Sequence, residues 1–160
     1  MSYSREAKLG RLLQETGQSL AVAESCTGGL IGNLITNVPG SSSYFIGGVI
    51  AYANEVKVEI LGVKSTTLDS FGAVSKETVQ EMAKGIRTLF NADIGLSVSG
   101  IAGPEGGTME KPVGTVWIGL GTTEFDRAEK FLFSGDRESI KQQAAQSALE
   151  IAIRYLSEDN

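Results

Sequence analysis

Leu20-Ala21-Val22-Ala23-Glu24-Ser25-Cys26-Thr27-Gly28-Gly29 is an apolar run that closes in a polar, glycine-ended turn, and Leu30, Ile31, Leu34 and Ile35 follow it at helical spacing. That order predicts a short buried strand over 20–23, a turn, and a helix over 28–37 that stops before Pro39-Gly40. A serine at such a joint can present its hydroxyl beside a helix N-terminus, whose first N–H groups have no intrahelical partner. Ser25 is therefore a candidate nucleophile. The competing assignment is that Ser25 or Thr27 only caps the helix. The chain contains no histidine, so a nucleophilic serine needs some other base.

Outward from this joint, the chain alternates helices and strands. Ser4 is placed to cap a helix that ends at Gly17, with Leu9, Leu12 and Leu13 on one face. The β-branched and aromatic stretch 44–53 predicts a strand, and Asn54 then caps a short helix stopped by Gly62. Ser75, with Glu77 behind it, opens a helix over 76–90, and 93–99 is a further strand. A glycine-rich loop covers 100–112. Segments 114–121 and 126–134 form a hairpin. A last helix runs over 137–156 with Ile140, Ala144, Ala148, Leu149, Ala152 and Tyr155 as its stripe. The resulting order, α-β-α-β-α-α-β-β-β-α, implies an α/β fold whose sheet is covered on both faces and made mixed by the late hairpin.

Composition narrows the function classes. The 160 residues fit one domain over 1–160, and 41% hydrophobic against 21% charged residues argues against disorder. A net charge of −5 without a basic cluster argues against a nucleic-acid partner. With no histidine, one cysteine and no tight carboxylate cluster, we expect no metal. The lone Cys26, the polar start Met1-Ser2-Tyr3-Ser4-Arg5-Glu6 and the absence of an apolar run of about 18 residues lead us to expect a cytoplasmic protein with no membrane span.

Ligands of open α/β sheets bind in loops beyond the carboxyl ends of the strands. These are 24–29, 52–57 and 99–107, with 135–137 entering the last helix. Gly28 and Gly29 let backbone approach a ligand, and N–H groups from Cys26 to Gly29 are candidates for an oxyanion hole. Cys26 is an alternative nucleophile or a small buried hydrophobe. Lys57 lies among Val56, Val58, Ile60 and Leu61. Desolvation there would make it a base, although Lys64 and Lys84 are equally available by composition. Tyr52 is either a hydrogen-bond donor to the site or core packing. The loop Ser99-Gly100-Ile101-Ala102-Gly103-Pro104 lacks the ending of a P-loop but suits a polar or anionic ligand. Arg137 opposes the dipole of the helix it opens. Its neighbours Asp136 and Glu138 would permit that, or it would mark a phosphate site.

Five stretches together resemble the CinA C-terminal domain family: Ala23–Gly29, Gly47–Lys57, Ser99–Pro104, Lys111–Val116 and Gly135–Arg137, in family order over nearly the whole chain. The family's stand-alone members are nicotinamide-nucleotide amidases. The resemblance implies a three-layer α/β/α sandwich with a mixed, mostly parallel sheet. It also implies hydrolysis of the carboxamide of nicotinamide mononucleotide to nicotinate mononucleotide and ammonia, in pyridine-nucleotide salvage. A dyad of Ser25 and Lys57 is implied, with Tyr52 at the catalytic centre. Cys26, Thr27, Gly28, Gly29, Ser99, Gly100 and Arg137 would bind the substrate, without a cofactor. Ala53 and Ser99 stand where relatives often carry serine and threonine. The alternative function is a nucleotide-sensing or partner-binding module that keeps the pocket without turnover. A symmetric homo-oligomer is expected, as for many compact α/β enzymes.

Overall fold

In the computed structural model, which describes residues 3–158, the opening stretch folds as strand β1 (Leu20–Glu24), fully buried, leading into helix α2 (Leu30–Thr36). The start Met1-Ser2 lies outside the described residues. Before β1 comes α1 (Arg5–Thr16), capped by Ser4, whose Oγ accepts from the Ala7 N–H, and closed by Gly17 at φ 67°. Then follow β2 (Phe45–Ile50), α3 (Asn54–Glu59), α4 (Ser65–Phe71), α5 (Lys76–Phe90), β3 (Ile94–Gly100), β4 (Thr115–Gly121), β5 (Asp126–Leu132) and α6 (Arg137–Glu158).

The five strands form one sheet in the order β2-β1-β3-β4-β5. β1 pairs in parallel with both β2 and β3, and the β4–β5 hairpin adds antiparallel to β3. A strand has a two-residue side-chain period, and β1 uses both faces. Leu20 and Val22 join a core with residues of α1, α2 and α6, whereas Ala21 and Ala23 join Val79, Met82 and Ile86 of α5 on the other side. The fold is a three-layer α/β/α sandwich. Among the described residues no helix is long and apolar enough to cross a membrane.

The two faces are packed differently. The α5 side is floored by small residues: a Cβ at Gly95 would run into the carbonyl oxygen of Ala83, and one at Gly119 into that of Val79. Ser97 on β3 donates from its hydroxyl to the Val79 carbonyl at 2.6 Å, which fixes the helix at this close distance.

Two local expectations fail. Asn54 does not cap α3; the cap position is Ala53, without a side-chain bond, and Asn54 is already helical. Helix α4 was not anticipated from Ser65-Thr66-Thr67-Leu68-Asp69-Ser70-Phe71, which has weak helix formers and no apolar period. It exists because Glu81 of α5 reaches its first turn, accepting from the Lys64 N–H at 2.9 Å and the Thr67 hydroxyl at 2.6 Å. Ser41–Ser43, between α2 and β2, winds into a single 3-10 turn.

The glycine floor yields a stability prediction. Gly95→Ala should destabilise the fold by about 1–3 kcal/mol through overpacking against the α5 backbone. A melting midpoint lowered by roughly 2–4 °C per kcal/mol would register it; an unchanged midpoint would show that α5 can lift off the sheet freely.

Candidate active site

β1 is the switch point of the sheet, because its two parallel neighbours lie on opposite sides. Crossovers depart in opposite directions there and leave a crevice at the carboxyl ends of the strands. The register sets which residues meet in it. Glu24 faces Ile50 of β2 and Val98 of β3, so Ser25, Ser99 and the 51–52 backbone emerge at one edge. The Ser25 N–H donates to the Val98 carbonyl at 3.0 Å and the Ala51 N–H to the Glu24 carbonyl at 2.7 Å. Ser25 is thus anchored on β3 immediately before the chain turns into α2.

Lys57 closes the crevice from α3. It is only 1% exposed, which makes it the largest fully buried side chain among the described residues. Its Nζ lies 3.2 Å from Ser25 Oγ and donates to the Tyr52 carbonyl at 3.1 Å. No carboxylate forms an ion pair with it among the described residues. Desolvation holds its pKa below the ordinary lysine value, only partly opposed by the Glu55 carboxylate. Lys64 and Lys84, the other candidates, are exposed.

Cys26 is buried beside Ser25, and its thiol is pushed up to about 12, chiefly by desolvation, with Glu24 adding to the rise. A thiol held there is protonated near neutrality and is not a nucleophile. Of the two candidates at this turn, Ser25 alone meets a base.

The cleft is lined by Ser25, Cys26, Tyr52, Lys57, Ser99, Gly100 and Arg137, together with Ala73, Val74 and the loop through Gly106. The Tyr52 ring does not pack in the core. It is 60% exposed, and its hydroxyl accepts from Arg137 at 3.1 Å. Tyr52 reaches Lys57 through its carbonyl, which no side-chain pattern reveals. Arg137 also donates to the Gly103 carbonyl at 2.6 Å, tying the glycine-rich loop to α6.

Thr27, Gly28 and Gly29 are not among the lining residues, and a carboxylate explains why. Glu24 is buried, with Oε1 accepting from the Thr27 hydroxyl (2.6 Å), the Gly29 N–H (3.2 Å) and the Ile31 N–H (2.9 Å), and Oε2 from the Gly32 N–H (3.0 Å). The Gly28 N–H donates to the Ser25 carbonyl at 3.1 Å. The positive end of α2 is thereby neutralised by the protein's own side chain. Among the described residues, the Thr27 N–H has no acceptor, and the Cys26 N–H meets only its own thiol sulfur. Glu24 escaped the sequence reading, although a carboxylate ending an apolar strand just before a helix carries that signal.

Comparison with known proteins adds an independent line. A model of the CinA C-terminal domain matches residues 2–156. The chain is 55% identical over 150 residues to a putative competence-damage inducible protein of Halothermothrix orenii, covering 93% of this chain and 36% of that one. It is 53% identical over 146 residues to a CinA-like protein of Thermotoga maritima, covering 91% and 36%. The chain therefore spans about a third of the length of the curated relatives it matches. Among solved structures, a CinA superfamily protein from Klebsiella pneumoniae superposes with a TM-score of 0.93 at 35% identity, covering 96% of each chain. A competence/damage inducible protein from Agrobacterium tumefaciens gives 0.89 at 34%, covering 98% of this chain and 99% of that one.

The buried amine makes a prediction about stability and pH. The unfolded chain holds the Lys57 proton up to its ordinary pKa, while the native state releases it at lower pH, so the native form is penalised as pH falls from about 10.5. Lys57→Met keeps the stem and removes the amine. It should melt higher than the parent at pH 7, with the advantage fading above about pH 10.5. Equal melting of the two proteins across that range would show that the ammonium is accommodated without cost.

Proposed function

The chain belongs to the CinA C-terminal domain family, and from that premise we propose that it is an amidase. Its substrate is the carboxamide of nicotinamide mononucleotide, its nucleophile Ser25 and its base Lys57. The observation that carries the reading is the 3.2 Å approach of a desolvated lysine to a serine hydroxyl at the switch point of the sheet.

A neutral amine has two hydrogens and one lone pair. One N–H is directed at the Tyr52 carbonyl, so the lone pair is free to take the Ser25 proton as the oxygen attacks the amide carbon. The carbonyl π bond opens and its oxygen carries the negative charge. The backbone N–H of Cys26, which lines the cleft, stabilises that charge; a single donor of this kind contributes about 3–4 kcal/mol in a serine hydrolase. The lysine ammonium gives its proton to the departing nitrogen, the C–N bond breaks, and ammonia leaves an ester on Ser25. Water then attacks the ester. Lys57 takes its proton and returns it to the Ser25 oxygen, releasing the carboxylate. Ser99 and Gly100 flank the amide, while Arg137 holds the loop that covers it. Every proton in this cycle is moved by the chain's own groups and by water.

Two measurements test the reading. Purified protein incubated with nicotinamide mononucleotide should release ammonia, and Ser25→Ala and Lys57→Ala should each lower kcat by about a thousandfold or more. Ammonia release that survives Ser25→Ala would refute the dyad, and nucleotide binding without ammonia from the parent would identify a binding module instead. The rate should also rise with pH as Lys57 loses its proton, on a limb lying below the ordinary lysine value. A rate flat across that limb would remove Lys57 as the base.

A further inference from the structure

Lys141 lies one turn beyond Arg137 on the same face of α6 and is half-buried. The ion pairs among the described residues join Arg5 to Glu150, Arg11 to Glu15 and Arg154 to Glu129, so neither Lys141 nor Arg137 is matched to a carboxylate. Asp136 caps α6 by accepting from the Ser139 N–H at 2.9 Å. Glu138 stands on the same rim without coming within ion-pair distance of either cation.

Lys141 and Arg137 line a cleft with Leu30, Glu138 and Gln142. This cleft adjoins the one containing Ser25, and Arg137 contributes to both. Arg137 has two of its nitrogens engaged, one on Gly103 and one on Tyr52. It acts first as a strut, and Lys141 is the cation with no internal task. The backbone opposite is Gly28, exposed and at φ 61°; a Cβ there would lie 3.8 Å from the Lys141 ammonium. The missing side chain keeps the space before the ammonium open. Lys141 is also close enough to the nucleophile's turn for its charge to act on the Cys26 thiol.

We propose that Lys141, steadied beside Arg137, forms a phosphomonoester subsite at the Gly28 side of the cleft. Its role in turnover rests on the amidase reading, in which it holds the substrate's phosphate while the carboxamide meets Ser25; the anion site itself does not depend on that reading. A compact ammonium at the end of a flexible stem suits a phosphate as a point charge. Lys141 would then set the preference for a nucleotide over the corresponding nucleoside.

The test separates the two readings. The full chain, Lys141→Gln and Lys141→Arg are titrated with ribose 5-phosphate and with ribose. We expect the parent to bind the phosphate ester in preference to ribose, Lys141→Gln to bind it about tenfold or more weakly, and Lys141→Arg to retain most of the affinity. Equal affinity of parent and Lys141→Gln, or no preference of the parent for the phosphate ester, overturns the proposal. With nicotinamide mononucleotide as substrate, Lys141→Gln should raise KM about tenfold and leave kcat nearly unchanged. A fall in kcat at constant KM would also overturn it. Binding that depends on Lys141 in a protein that releases no ammonia would sustain the subsite and refute the amidase.

Discussion

The site depends on a lysine taken out of water with no ion-pair partner among the described residues. Transferring an ammonium into a protein interior is costly, and the ordinary remedy is a carboxylate partner. Lys57 has a serine hydroxyl and a backbone carbonyl instead. Those groups satisfy an amine's hydrogen bonding but do not neutralise an ammonium, so the environment shifts the balance toward the uncharged form. Such an arrangement persists only if the surrounding structure is stable without it. Here two separate cores, one on each face of the sheet, supply that stability.

Glu24 and Ser25 show how one turn serves both needs. They are adjacent, yet the strand's alternation sends them to different tasks. The carboxylate turns to the start of α2, where four donors converge on it. Were that negative charge aimed at the crevice, it would favour the ammonium and oppose base catalysis. The α2 dipole is offset in the same way, so α2 provides position rather than an anion site. The cationic character of the region comes from α6.

Much of the fold was legible because it is locally encoded. Ser4 and Ser75 cap their helices as their positions suggest, Gly17 closes α1, and the β4–β5 hairpin lies where alternation places it. What escaped was written in tertiary contact. Helix α4 owes its first turn to a glutamate in another helix, and α3 begins without help from the asparagine that looked like its cap. The approach of residue 57 to residue 25 depends on a crossover that places β2 beside β1, which composition around Lys57 could not distinguish from Lys64 or Lys84. The family resemblance, carried by several motifs at once, singled out this pair. Tyr52 was the least legible, because its contact with Lys57 belongs to a main-chain oxygen.

The protonated Cys26 has a bearing on how this protein can be probed with reagents. Soft alkylators react with thiolates, and the single sulfur of this kind in the chain is held as the acid among apolar neighbours. Iodoacetamide and maleimides should leave the folded molecule unmodified, and any labelling would report opening of the turn rather than chemistry at the crevice. Hard acyl or phosphonyl electrophiles are the matched probes, since they address oxygen.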